Sequence, residues 1–136
     1  MKRKVLLICA GAALLLALTL GLVWWHLPVV FLEDVDPASI ARIEVFNGAS
    51  GHRFTIENDA DISHIVTNIQ RTKMYKKEWE EKDGFVYSLS FYAADGSRIA
   101  GFLLNGSDTV RDGNMEYECE SDALCFAYIR NIEAGQ

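Results

Sequence analysis

The sequence predicts an α+β domain that follows one N-terminal membrane-spanning helix. Residues 5–32 form an apolar segment without a formal charge. The rest of the chain is divided into short segments by five Asn-Gly or Asp-Gly pairs, which suit tight hairpin turns. One of these segments instead repeats apolar residues at helical spacing. We therefore expect the order β-β-α-β-meander-α, with two helices packed on an antiparallel sheet.

Length and charge limit the function classes. The chain has 136 residues, enough for one ordinary domain. Residues 33–136 carry ten basic and nineteen acidic residues, so this part is strongly acidic. Nucleic-acid binders need a basic face that replaces counterions on phosphates, and we expect no nucleic-acid partner.

The apolar segment predicts a signal-anchor that stays in the lipid bilayer. Residues 1–4 form a basic tip, and residues 5–25 supply the roughly 20 apolar positions that a membrane-spanning helix needs. Trp24 and Trp25 suit the headgroup layer. Since basic residues stay on the cytoplasmic side, we expect a single-pass protein of the cell membrane with its N-terminus inside and residues 38–136 outside.

A cleaved secretory signal is the alternative. Signal peptides have a shorter apolar core and then a small-x-small cleavage site, whereas this segment ends in bulky residues. Cys9 comes too early to be an acylated lipoprotein cysteine, and a thiol buried in the membrane is the simpler interpretation. Residues 26–37 are expected to form a juxtamembrane linker, whose apolar part, Leu27 to Leu32, either extends the span with tilt or lies at the membrane surface.

Short alternating segments predict the strands of the outer domain. The clearest is Phe85 to Ala93, in which apolar and small polar residues alternate. The other expected strands are Arg42 to Asn47, Arg53 to Ile56, Arg98 to Leu104, Thr109 to Asp112 and Met115 to Cys119.

Two helices are expected. The first begins after a cap at Asn58 or Asp59, because Ile62, Ile65, Val66 and Ile69 then form one apolar stripe. The second is expected from about Asp122 to Ile132. Residues 73–82 fit either a continued helix or a strand, and their lysines favour a charged edge strand.

Several of these motifs together resemble a known group of domains. Residues 40–48 and 51–56 match the opening strands of small extracytoplasmic domains of Gram-positive bacteria, Asp61-Ile62-Ser63-His64-Ile65 matches their Asp-Ile-x-x-Ile helix, and residues 87–92 match their Tyr-Ser-Leu-x-Phe-Tyr strand. The resemblance covers about residues 40–118. It implies a membrane-anchored or lipid-anchored module of unassigned activity, without catalytic residues to transfer.

Cys119 and Cys125 form the one candidate cross-link. Both lie in the outer domain, where oxidation is permitted, so they predict either a disulfide that pins the last helix to the sheet or two buried thiols. Neither has an obvious neighbouring base that would favour a catalytic thiol.

A possible binding surface combines aromatic and acidic side chains. Its candidates are Tyr75 and Trp79 in the ambiguous segment and Glu116, Glu118 and Glu120, which alternate on one side of a strand. The three carboxylates also suit a hard cation such as Ca²⁺, but their spacing fits no EF-hand and favours a solvated acidic face. His52 and His64 lack the neighbouring ligands of a zinc site. We therefore expect no metal and no cofactor.

The leading hypothesis is that the external domain acts by protein binding, or as an accessory or sensor module of the envelope, without catalysis. Its partner would be an unidentified envelope or membrane protein, whose local concentration the anchor would raise. Two alternatives stay open. One is a wall-acting hydrolase that uses the clustered carboxylates, and the other is an auxiliary subunit that acts through its membrane helix.

Overall fold

A computed structural model describes residues 1–78, 80, 84–120 and 122–136 of the chain. The predicted α+β architecture is confirmed: an N-terminal apolar helix precedes a seven-stranded antiparallel sheet with two further helices. The helices are α1 (Lys2–His26), α2 (Asp59–Arg71) and α3 (Phe126–Ala134). The strands are β1 (Arg42–Asn47), β2 (Arg53–Ile56), β3 (Tyr75–Lys77), β4 (Tyr87–Tyr92), β5 (Arg98–Leu104), β6 (Thr109–Asp112) and β7 (Met115–Glu118).

Helix α1 stands apart from the domain along most of its length. It has 25 residues, and none of them is buried. Its length and apolar composition are sufficient to cross a membrane. It ends at His26, because Leu27 adopts an extended conformation and Pro28 follows.

The sheet has the strand order β2-β1-β4-β5-β6-β7-β3. Strand β1 lies between β2 and β4, with Val45 opposite both Phe54 and Leu89. Strands β4 to β7 form the predicted meander of antiparallel neighbours. The last strand of this meander, β7, pairs with β3, which precedes β4 in the chain, so β2 and β3 form the two edges of the sheet.

Helix α2 covers one face of the sheet as the sequence predicts. The side chain of Asn58 accepts hydrogen bonds from the backbone N–H groups of Ala60 and Asp61, which satisfies two donors of the first turn. The predicted apolar stripe is buried in full, and it packs with the alternating core residues of the central strands. The stripe consists of Ile62, Ile65, Val66 and Ile69.

Helix α3 begins later than expected. Asp122 and Cys125 both have left-handed backbone angles, with φ of 62° and 59°, so the helix cannot run through them. It starts instead at Phe126. Asp122 still supports its first turn, because one carboxylate oxygen accepts a hydrogen bond of 2.7 Å from the N–H of Ala127.

The segment after α1 packs on the domain. Val29 and Met74 exchange two backbone hydrogen bonds of 2.7 and 2.8 Å in an isolated antiparallel bridge. The ring of Phe31 lies 5.2 Å from the ring centres of both Phe102 and Tyr117 on the sheet. We call residues 29–36 the strap. Phe31 therefore packs on the domain, and the position of the apolar part of the linker relative to a membrane stays a prediction.

A side chain of α2 secures the strap. The Nε2 amide of Gln70 donates hydrogen bonds of 2.7 Å to the carbonyl of Leu32 and 2.6 Å to the carbonyl of Val35. These bonds satisfy two carbonyls of an irregular segment, in which Leu32 has a left-handed φ of 59°. The strap therefore covers the part of the sheet around Phe102 and Tyr117, close to the place where α1 leaves the domain.

Candidate functional site

A groove of about 540 Å³ lies where the end of α2, strand β3 and the end of β7 meet. We call it the β3 groove. It is lined by Arg71, Thr72, Lys73, Tyr75, Glu118, Cys119, Glu120 and Ala123. The edge-strand prediction for residues 73–82 holds at Tyr75–Lys77, which pair with β7. Thus the groove lies at one end of the sheet, beside the edge strand.

The groove brings together several of the residues that the sequence singles out. Tyr75, Glu118 and Glu120 line it, and so does Cys119. Tyr75 presents a large surface to solvent, because 46% of the residue is exposed. Trp79 lies outside the described residues. The aromatic and acidic candidates of this region therefore share one surface.

Glu116 is an exception and corrects the expected acidic face. It is only 2% exposed, so it cannot form a solvated face with Glu118 and Glu120. It lies in the middle of β7, opposite Arg111 of β6 and Lys77 of β3, whereas Glu118 lies at the end of the strand. Alternation in the sequence indicates that the three glutamates point to one side of the strand. How deeply each of them is buried depends instead on the neighbouring strands.

Charges of both signs line the β3 groove. Arg71 is the last residue of α2 and Lys73 follows it after Thr72, while Glu118 ends β7 and Glu120 follows it in the next loop. Within the described ranges the two salt bridges are Arg42–Glu44 and His52–Glu133, so none of these four side chains takes part in one. The groove can therefore offer both cations and anions to a ligand.

The cysteines near the groove are free thiols in the structure. Burial, helped by the nearby carboxylate of Asp108, raises the pKa of Cys119 to about 11. Burial also raises the pKa of Cys125 to about 11. At neutral pH both sulfurs are protonated, which makes them poor nucleophiles. Their pairing in a disulfide stays a prediction.

A polar cluster that the sequence analysis missed surrounds Glu133 of α3. The carboxylate accepts a 2.6 Å hydrogen bond from the hydroxyl of Tyr87 and bonds of 3.0 and 3.1 Å from the side-chain amide of Asn47. Nδ1 of His52 lies 3.3 Å from the same carboxylate. We call these four residues the Glu133 cluster. It ties the last turn of α3 to the sheet and to the β1–β2 hairpin.

The contacts of the cluster shift its pKa values. The hydrogen bond from Tyr87 lowers the pKa of Glu133, and the bonds from Asn47 and His52 add to this. Burial and the bond to Glu133 raise the pKa of Tyr87. The carboxylate is thus held in its charged form and the phenol in its neutral form, an arrangement that stabilises the fold. These residues come from four separate elements or turns, so no sequence spacing points to the cluster.

His64 has a packing role. Its ring lies 4.3 Å from the ring of Tyr128, whose hydroxyl donates a 2.5 Å hydrogen bond to Asp61. This contact joins α2 to α3. Among the described residues there is no group of three or more His, Cys, Asp or Glu side chains that could hold a metal ion.

No family model, no curated protein and no solved structure matches this chain. The resemblance to Gram-positive extracytoplasmic domains therefore stays an expectation from the sequence. The features of the chain that bear on function are the apolar helix α1, the strap and the β3 groove.

Proposed function

We propose that this chain is a single-pass membrane protein whose α+β domain binds a protein partner close to the bilayer. The observation that carries the proposal is the direct docking of the strap. Only Leu27 and Pro28 separate the end of α1 from Val29, which pairs with Met74 beside β3. A membrane-embedded α1 would therefore hold the domain against the bilayer instead of letting it drift on a flexible tether.

The same contacts support an anchor that is not removed. Phe31 packs between Phe102 and Tyr117, so cleavage near Glu33 would take an aromatic ring away from the sheet. The basic tip, Lys2 to Lys4, favours a cytoplasmic N-terminus, and the acidic domain would then lie outside the cytoplasm. A protease added to intact cells should digest the domain, and full protection would contradict this orientation.

The β3 groove is the proposed binding surface. Lys73 and Tyr75 line it, and the residue between them, Met74, is bridged to the strap. The groove therefore opens next to the exit of α1, within reach of another protein of the same membrane or envelope. Its exposed aromatic ring and its charges of both signs suit contacts with a protein surface. Tethering would raise the local concentration of the domain for such a neighbour.

Site-specific photo-crosslinking tests this proposal. A photoreactive phenylalanine analogue replaces Tyr75 in the full chain, expressed in its own membranes. The matched control carries the analogue at Thr55, an exposed position on the opposite edge strand β2. We expect a discrete crosslinked product from position 75 and none from position 55. Identical patterns at both positions would contradict binding in the β3 groove.

An anchor exchange separates this proposal from action through the membrane helix. Residues 5–23 are replaced by an unrelated apolar helix, while Trp24 and the strap are kept. Retention of the crosslink at position 75 supports binding by the domain. Its loss, in protein that still integrates into the membrane, supports an auxiliary subunit that recognises its partner through α1.

A further inference from the structure

Lys76 of β3 contacts the end of α1. Its ammonium nitrogen donates a 3.1 Å hydrogen bond to the carbonyl of Trp24, and it lies 4.0 Å from the centre of the indole ring. The carbonyl groups at a helix C-terminus attract cations, and so does the face of a tryptophan ring. An ammonium group has three N–H donors, so this carbonyl uses only one of them. The others can serve an acceptor in the surroundings of Trp24.

The position of Trp24 indicates what those surroundings are. Trp24 lies in the last turn of an apolar helix long enough to cross a membrane. Tryptophan at such an end prefers the headgroup layer, where lipid phosphates are the abundant hydrogen-bond acceptors. With α1 in the bilayer, Lys76 is therefore held at the depth of the phosphates by its contact with Trp24.

The distribution of charge in the domain is consistent with this placement. All four lysines of residues 33–136 lie at positions 73–82. Residues 71–82 contain five basic and three acidic residues, whereas the rest of 33–136 contains five basic and sixteen acidic ones. In the part of the chain that the structure describes, no lysine takes part in a salt bridge. Lys73, Lys76 and Lys77 thus lie near the end of α1, and most of the acidic residues lie elsewhere in the sequence of the domain.

We propose that Lys76, together with the exposed Lys73, binds the phosphate groups of anionic lipids in the leaflet where α1 ends. Lys76 is the central contact because α1 positions it. Lys73 adjoins Met74, which is bridged to the strap at Val29, so it lies at the same edge. This inference rests on the proposed function only in requiring that α1 spans the bilayer. Binding to phosphate would fix the face that the domain turns to the membrane.

Spin-label electron paramagnetic resonance of the reconstituted full chain tests the inference. The protein is placed in phosphatidylcholine bilayers that contain a trace of spin-labelled phosphatidylglycerol or spin-labelled phosphatidylcholine. The ratio of their association with the protein measures preference for the anionic lipid. Each lysine near an anionic surface contributes a factor of about five, so we expect the double variant K73Q/K76Q to lower the ratio at least about twofold and by up to about 25-fold.

The matched control is R53Q/R130Q, which removes the same charge from β2 and α3. It should leave the ratio unchanged, and the basic tip is constant in all variants. Equal ratios for the lysine variant and the wild type would overturn the inference, as would equal losses in both double variants. Circular dichroism confirms that each variant is folded.

Added salt identifies the source of the phosphate. Sodium chloride and sodium phosphate at equal ionic strength should weaken the preference of the protein for phosphatidylglycerol equally, since both screen a lipid surface. A loss specific to inorganic phosphate would overturn the inference in favour of a site for the free anion. If even the wild-type protein restricts no labelled lipid, α1 does not span the bilayer and the proposed function itself fails.

Discussion

Phe31 is the residue through which the strap reaches the core. Its ring contacts Phe102 and Tyr117 at 5.2 Å, the distance typical of favourable aromatic pairs. We expect Phe31→Ala to lower the free energy of unfolding by about 2–3 kcal/mol, less than for a fully buried ring, because Phe31 is only half-buried. Urea denaturation of the detergent-solubilised chain, followed by near-ultraviolet circular dichroism, measures the change.

Leu27→Ala is the control for Phe31, since Leu27 is 52% exposed and precedes the strap. It should change the free energy of unfolding by no more than about 0.5 kcal/mol. Equal effects of the two substitutions would mean that the packing of Phe31 does not stabilise the domain.

Glu133 predicts a dependence of stability on pH. The hydrogen bond from Tyr87 is the main cause that lowers the pKa of Glu133 in the folded state. The contribution of Glu133 to the free energy of unfolding is therefore complete above the unfolded pKa of about 4.3. The contribution is lost as pH falls through the lower folded pKa. We expect Glu133→Gln to reduce the free energy of unfolding by about 1–2 kcal/mol at pH 7, since hydrogen bonds to charged groups are the stronger ones. Urea denaturation between pH 7 and 3 measures both effects.

Glu133→Gln should also lose less stability than the wild type on acidification, because the variant has no carboxylate to protonate at position 133. Glu57→Gln is a suitable control, since Glu57 is exposed and its side chain bonds to none of the described residues. If Glu133→Gln and the wild type have parallel pH profiles, the cluster does not contribute to acid sensitivity.

Helix α2 depends on its cap. The side chain of Asn58 accepts bonds of 3.0 and 3.1 Å from two backbone donors of the first turn. We expect Asn58→Ala to lower the free energy of unfolding by about 1 kcal/mol, because these donors then lose their partner. Thermal unfolding followed at 222 nm measures it.

Asn68→Ala provides the same substitution inside the same helix. Among the described residues the side chain of Asn68 donates only to the carbonyl of His64, one turn earlier, and alanine has the higher helix propensity. This variant should therefore be neutral or slightly more stable. A loss equal to that of Asn58→Ala would show that the cap has no special contribution.

At the scale of the whole molecule, the strap decides where the domain begins. A chain that starts at residue 28 keeps the bridge to Met74, the ring of Phe31 and the carbonyls held by Gln70. A chain that starts at residue 38 loses all three. We expect the shorter chain to be less stable by about 3 kcal/mol or more and to bind a hydrophobic dye at the uncovered sheet. Urea denaturation and dye fluorescence compare the two, and equal stability would mean that the strap only rests on the domain.

Local patterns were sufficient for most of the fold. The stripe of α2 and a cap at Asn58 or Asp59 could be predicted because both depend on residues within one or two turns of each other, and the structure has the cap at Asn58. The strands follow from alternation and from Asn-Gly and Asp-Gly turns, which act over a few residues. The start of α3 could not be predicted, since the left-handed angles at Asp122 and Cys125 give no clear local signal.

The sites depended on contacts between distant residues. The aromatic and acidic candidates Tyr75, Glu118 and Glu120 line the β3 groove, but Glu116 is buried because β6 and β3 flank it. The Glu133 cluster joins residues as far as 86 positions apart. No spacing rule covers such a distance.

By itself the sequence determined that an apolar helix with a basic N-terminal tip precedes an acidic α+β domain, because composition and periodicity are properties of short segments. Only the tertiary structure decided that the segment after the helix is a strap on the sheet and that Lys76 lies against Trp24. Those contacts form when distant segments bury surface together, and the free energy of that burial depends on the whole fold.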